Sequence, residues 1–287
     1  MTSDLDFYDI HQHIGDSSGS HAIDWGVQTF DAVGLAESEA DTRLRYMDDA
    51  RIRQALVMPG FSYDRSDGIQ ATRRQNDSLA RYRDANPERF IAAGIAEPRD
   101  TGSARGEIKR ISDELGVVGV TFHTAFQGVT MDSRSVMDCI ALMGELNLVP
   151  LLHAADDCHH ESLSKLAKVA RAFPDLTIVA LEPFYLLEGQ LSCDLVAEVA
   201  PNVVFDTASC YDFDLLTAFV TRWGSDRVLY GSHFYSQDGG SSRSRRAALL
   251  RREFETSPVL SAAAKHDITE GNWKRVFGLR NNSTKDT

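Results

Sequence analysis

The chain has 287 residues, 43% hydrophobic and 25% charged, with 30 basic against 42 acidic residues and a formal charge of −12. That length suffices for a sizeable core, and the acidic balance argues against a nucleic-acid partner, whose phosphates call for Lys and Arg. No run of about 18 apolar residues marks a membrane span, and the acidic start Met1-Thr2-Ser3-Asp4 lacks the apolar stretch of a signal peptide.

Taken in order, short apolar runs rich in β-branched residues recur at Phe7–His11, Gln54–Pro59, Phe90–Ala96, Val117–Phe122, Val149–His153, Thr177–Glu182, Asn202–Asp206 and Arg227–Gly231. Segments with helical spacing separate them, among them Glu107–Leu115, Ser135–Leu146, Glu161–Phe173, Leu191–Val199 and Asp214–Trp223. Eight strand-then-helix units predict an α/β fold, a parallel (β/α)8 TIM barrel. With no close repeat and no low-complexity linker, one domain over residues 1–287 is expected. A long loop follows strand 1 over about residues 14–45, a length more often functional than decorative, and residues 280–287 form a polar tail. The cysteines Cys139, Cys158, Cys193 and Cys210 lie far apart without a C-x-x-C pair, so reduced thiols and a cytoplasmic setting are expected.

In such a barrel, catalytic residues stand at the C-terminal ends of strands. His11 and His13 end strand 1 and, two residues apart on a strand, face the same side, so they can grip one cation together. Glu97, His123, His153, Glu182, Asp206 and His233 end or follow strands 3 to 8. Glu182, after the Val-Ala-Leu run, is costly to bury without a partner. Asp206 reads as a residue that orients a neighbour or caps the next turn. His159 and His160, in Asp156-Asp157-Cys158-His159-His160-Glu161, look like ligands but read better as a helix start with acids in its first turn. Substrate contacts are expected from Trp25, Tyr63, Arg65, Phe126, Tyr185 and Tyr211. This aromatic rim suits a small organic substrate bearing a ring or a carboxylate, which Arg65 or Arg99 would hold.

The chain resembles the amidohydrolase superfamily, in its branch of amidohydrolase-related hydrolases and decarboxylases. The resemblance rests on Asp9-Ile10-His11-Gln12-His13, Asn86-Pro87-Glu88-Arg89-Phe90, Gly119-Val120-Thr121-Phe122-His123 and Val149-Pro150-Leu151-Leu152-His153. It continues through Arg227-Val228-Leu229-Tyr230-Gly231-Ser232 and Gly271-Asn272-Trp273-Lys274-Arg275-Val276-Phe277-Gly278-Leu279, and so covers most of the chain. It implies that His11, His13 and His153 hold one divalent cation, zinc first, with manganese or iron as alternatives. It also implies a small-molecule substrate and a homodimer. Two positions depart from the family pattern: strand 6 carries Glu182 where a histidine is usual, and strand 8 carries His233 where an aspartate is usual. The sum of ligand types is kept, so Glu182 or His233 would complete the metal site and the other would act as base. His123 would contact substrate or the metal shell. The implied activity is hydrolysis of a small amide, ester or lactone by a metal-activated water. The alternatives are a decarboxylase or other lyase, or a non-catalytic binding barrel with a relic site.

Overall fold

The computed structural model describes residues 5–14, 35–60, 67–235 and 242–278. The strands are β1 (Phe7–His13), β2 (Ile52–Met58), β3 (Phe90–Ile95), β4 (Gly119–Phe122), β5 (Val149–His153), β6 (Ile178–Leu181), β7 (Val203–Asp206), β8 (Val228–Leu229) and β9 (Phe234–Tyr235). The helices are α1 (Leu35–Asp49), α2 (Ile69–Asp84), α3 (Thr101–Asp113), α4 (Arg134–Glu145), α5 (Leu163–Ala172), α6 (Leu187–Val199), α7 (Phe213–Trp223), α8 (Ser242–Thr256) and α9 (Ala262–His266). Two π-helical turns, Asp267–Gly271 and Lys274–Gly278, follow.

The strands hydrogen-bond in the order β8-β7-β6-β5-β4-β3-β2-β1-β9, every pair parallel. β8 pairs with β7 and β9 pairs with β1, so the two are successive halves of one eighth strand. Ile10 N–H donates to the Tyr230 carbonyl at 3.0 Å, and the ring closes through this joint. The fold is the expected TIM barrel.

Two differences from the sequence reading have physical causes. The stretch read as loop through residue 45 becomes α1 from Leu35, because the buried stripe of that helix is not apolar. Glu39, Ala40, Arg43 and Met47 are buried, and Glu39 pairs with Arg43 at 2.5 Å, so no hydrophobic period betrays the helix. The eighth strand breaks at His233, whose φ of 57° no extended strand accommodates.

Inside the ring, alternate residues such as Leu56 and Met58, Ile91 and Ala93, Val149 and Leu151, and Val179 and Leu181 form a buried core. This is the period of two that strands impose. The π-helical turns cap its N-terminal end, where Trp273 packs on Tyr8 at 5.8 Å and on Phe277 at 5.1 Å. A second core joins the outer strand faces to the helices. The opposite end of the ring carries the polar residues. No helix among the described residues is long and apolar enough to cross a membrane.

Candidate active site

β1 brings His11 and His13 to the C-terminal rim, and a bulge between Asp9 and Gln12 offsets their register on β2. Bulges often re-aim side chains beside active sites. His11 Nε2 and His13 Nε2 stand 2.9 Å apart. Behind them each Nδ1 meets a fixed acceptor: Asp206 Oδ2 at 2.5 Å from His11, and the Pro59 carbonyl at 2.7 Å from His13. The arrangement presents both Nε2 lone pairs to one point, as metal-binding histidines are held by a partner on the far nitrogen. Asp206 is itself held by the Ala208 N–H and is fully buried. It therefore does both things expected of it: it orients His11 and caps its own turn.

The His233 ring lies 4.8 Å from His11 and 5.1 Å from His13. One nitrogen from each of the three rings falls within 4.8 Å of the others. Glu182, one residue past β6, links this group to a second one. Its Oε1 lies 2.8 Å from His233 Nδ1 and accepts from Ser209 Oγ at 2.8 Å, and its Oε2 lies 2.6 Å from His153 Nε2. Glu182, Ser209 and His233 all have φ of 57°, a left-handed conformation that costs a non-glycine residue about 1–3 kcal/mol. Three such residues joined in one hydrogen-bonded set mark a built site.

The second group is His123, His153 and Glu161. Glu161 Oε1 lies 2.7 Å from His123 Nδ1, and its Oε2 lies 2.7 Å from His153 Nδ1. The two rings stack at 3.8 Å and 11°. A cavity of about 20 Å³ lies between the groups, bordered by His11, His13, Thr121, His123, His153 and Leu181. It has room for one water or one ion.

The electrostatics follow from burial and pairing. Burial, with His11 and His233 alongside, holds His13 well below the ordinary imidazole value. Burial and the neighbouring His153 push His123 down to about 4. Burial opposes charge on His153, but Glu161 and Glu182 outweigh it and hold that imidazole well above its usual value. Burial likewise opposes charge on Glu182, yet His233 and His153 keep its carboxyl well below the usual range.

The structure divides the four expected ligands: His11 and His13 form one group, His153 belongs to the other, and Glu182 stands between them. Of the rim residues, Phe126 packs on His123 at 4.3 Å, and Tyr185 and Tyr211 pair at 5.9 Å. Trp25, Tyr63 and Arg65 lie outside the described residues. Arg99 turns back to Glu97, at 2.6 and 2.7 Å, and is engaged as an ion pair. The sequence reading passed over Glu161, Ser209 and Arg43. Glu161 ends a three-residue helical turn whose His159 and His160 are exposed, while Glu161 itself is buried. Only its place one turn after a barrel strand could have singled it out. The Asp9 carboxylate accepts from Ser232 Oγ at 2.6 Å and Gln12 Nε2 at 2.7 Å, tying β1 to the eighth strand beneath the site.

The donor set fits a divalent cation: converging Nε2 atoms, an anchoring acceptor behind each, and a carboxylate alongside.

Residues 8–279 match the family model described as Amidohydrolase. No curated protein matches the chain significantly in sequence. Among solved structures, the chain is similar to 2,6-dihydroxybenzoate decarboxylase from Rhizobium, with 17% identity, 96% of this chain and 99% of that one covered, and a TM-score of 0.69. It is similar to a dihydroxybenzoic acid decarboxylase from a Polaromonas species, solved with manganese and the inhibitor 2-nitroresorcinol, with 17% identity, 97% and 99% coverage and a TM-score of 0.69. It is also similar to 4-oxalomesaconate hydratase from Rhodopseudomonas palustris, with 16% identity, 97% of each chain covered and a TM-score of 0.67. At these identities the likeness is one of fold.

Proposed function

The chain belongs to the amidohydrolase family, and we propose that it is a metal-dependent lyase that decarboxylates a small aromatic or unsaturated carboxylic acid. The observation that carries this reading is the engagement of both oxygens of Glu182, one by His153 and the other by His233 and Ser209. Hydrolysis needs a base able to take a proton from water. A carboxylate already satisfied on both sides and held well below its usual range is a poor one. The strand-8 position that would otherwise supply an aspartate base supplies an imidazole.

His11 and His13 would hold the cation, and when bound it would supply Lewis-acid charge to the substrate's oxygens. The protein's own groups would do the rest. His233, steadied at Nδ1 by Glu182 and Ser209, would give a proton to the carbon that bears the carboxylate. The carbon–carbon bond would then break, its electron pair would return to the ring or double bond, and carbon dioxide would leave. Each turnover consumes one proton, which solvent would replace on His233. His123 and Phe126 would form one wall of the substrate site, with Tyr185 and Tyr211 on the rim. The similarity to decarboxylases of hydroxylated benzoates supports an aromatic substrate. Zinc and manganese both suit a histidine-rich site with one carboxylate.

A second reading is hydrolysis of a small amide, ester or lactone, favoured by the water-sized cavity beside the two Nε2 atoms. The product separates the two. Metal-loaded protein is incubated with hydroxybenzoates and unsaturated acids, and separately with amides, esters and lactones. Carbon dioxide release, lost in His233→Asn, supports the lyase. A new carboxylate without carbon dioxide, from any ester, amide or lactone, overturns it.

A further inference from the structure

We infer that the outer face of α6 is an interface on which a second copy of this chain packs about a two-fold axis. α6 is apolar on two faces. Its inner face, with Gly189, Cys193, Val196 and Ala197, is buried in the barrel wall. Its outer face carries Leu187, Leu191, Leu195 and Val199, which are 58, 60, 66 and 46% exposed. They recur every fourth residue and so form one ridge about 18 Å long. A helix that is apolar all round is normally covered all round. The ridge continues past the helix start. Tyr185, whose N–H donates to the Glu182 carbonyl at 3.1 Å, is exposed and pairs with the exposed Tyr211 at 5.9 Å, which carries the patch to the rim of the site. These six are most of the nine large hydrophobic side chains exposed among the described residues. Single exposed apolar residues are ordinary, whereas a contiguous patch of this kind marks a contact surface.

The spacing selects the occupant. The four ridge residues stand six and two residues before Cys193 and two and six residues after it. A two-fold axis over Cys193 therefore sets Leu191 against Leu195 of the partner subunit, and Leu187 against Val199 of the partner subunit. A ridge of this period fits the groove beside the same ridge on a second helix, crossing at about −50°. Such self-matching contacts are how most soluble oligomers pair. A stable interface covers about 800 Å² per partner, apolar at its centre and polar at its rim, and the ridge supplies that centre. Asp194 is taken out of the face, since it accepts from Arg222 Nη1 at 3.0 Å and Trp223 Nε1 at 2.6 Å on α7. The remaining acids of the helix, Glu188 and Glu198, lie on opposite flanks of the ridge. The same axis brings Glu188 beside Glu198 of the partner subunit, at the rim. Like charges there weaken the contact at low salt, whereas a foreign partner with basic flanks would be held more tightly there.

The test is the mass of the full chain in solution, which needs no substrate and is independent of the lyase reading. Analytical ultracentrifugation of the wild type over a dilution series should give twice the 31.8 kDa of one chain. Leu191→Glu/Leu195→Glu puts charge at the centre of the contact and should give a monomer whose circular dichroism is unchanged, since both positions are exposed. Leu249→Glu, at an exposed position on α8, is the control and should stay dimeric. Leu191→Ser/Leu195→Ser provides the same reading should the glutamate variant fail to fold. Added salt should tighten the wild-type dimer. Glu188→Lys sets a lysine against Glu198 of the partner subunit, so it should tighten the dimer about threefold or more and reverse the salt dependence. A wild type that is monomeric throughout the series overturns the proposal and leaves the face to a partner of another sequence. A dimer that survives in the folded double variant overturns it as well, and so does a Glu188→Lys variant that dissociates more readily than the wild type.

Discussion

Glu182 Oε2 lies 2.6 Å from His153 Nε2, in a site where Glu182 is buried and His153 is only partly exposed. The pair works in both directions: the carboxylate holds the imidazole charged, and the imidazole holds the carboxyl ionised. Removing Glu182 leaves the His153 imidazolium with Glu161 alone, one charged partner fewer, which costs about 1–3 kcal/mol. Glu182→Gln should therefore lower the stability of the metal-free protein by that order in urea denaturation. It should also cut turnover by at least about a hundredfold, since His233 loses the group that steadies it. A variant with unchanged midpoint and unchanged rate would show that the contact is incidental.

The same pairings set a pH dependence for the metal-free protein. Burial and like-charged neighbours hold His13 well below its ordinary value and His123 at about 4. Between those values and the ordinary imidazole range near 6.5, the unfolded chain binds more protons than the folded one, so stability rises with pH. Burial opposes charge on His153 and His11 too, but Glu161, Glu182 and Asp206 win, and both are raised. A raised histidine contributes fully below its unfolded pKa and loses that contribution as pH climbs through the folded one. Unfolding free energy should therefore peak near pH 6.5 and fall on both sides. Denaturation at intervals from pH 5 to 9 measures this, and His153→Asn should flatten the alkaline arm. A profile still rising above pH 7 would contradict the assignment.

Most of the barrel was legible because its strands obey a simple rule: buried on both faces, they read as apolar runs between turn residues. The site was legible in part, for the same reason, because His11, His13, His153 and Glu182 sit where such runs end. What escaped was whatever is buried without being apolar. Arg43 and Glu39 hide α1 from any hydrophobic period. Glu161 lies eight residues after His153 in sequence and folds back onto it at 2.7 Å, a return that no spacing announces. The division of the ligands into two groups depends on the left-handed backbone at Glu182 and His233. Sequence alone offers no hint of it, since neither is a glycine.

Arg43 offers a test of how that hidden helix supports the site. Its guanidinium is fully buried and donates to Gln12 Oε1 at 2.9 Å, the His13 carbonyl at 2.6 Å and Tyr82 Oη at 2.9 Å, besides Glu39. Arg43→Met removes all four bonds and leaves the buried Glu39 carboxylate without its cation, for a loss of about 3–5 kcal/mol. Because the His13 carbonyl is one of the acceptors, metal affinity should weaken about tenfold or more as well. Arg43→Lys, a point charge without the planar fork, should rescue only part of the stability. Equal stability of the lysine variant and the wild type would mean that charge alone, not the fork, holds β1.

Gly231 has no room for a side chain beside the site. A Cβ there would stand 2.9 Å from Asp206 Oδ1 and 3.1 Å from the Cβ of His11. The absence of a side chain is what lets Asp206 lie within hydrogen-bond reach of His11 Nδ1. Gly231→Ala must push the carboxylate or the β1 backbone aside, at about 1–3 kcal/mol. The displaced Asp206 would no longer fix the His11 tautomer, so metal affinity should fall about 10- to 100-fold. Gly106 in α3 is the control, because a Cβ there meets nothing within 4 Å. Gly106→Ala should stabilise the helix by about 0.5–1 kcal/mol and leave metal binding alone. Isothermal titration with zinc or manganese, beside thermal melts of both variants, separates the effects. If Gly231→Ala lowered the melting temperature but bound metal as tightly as wild type, Asp206 would be a packing residue rather than the support of His11.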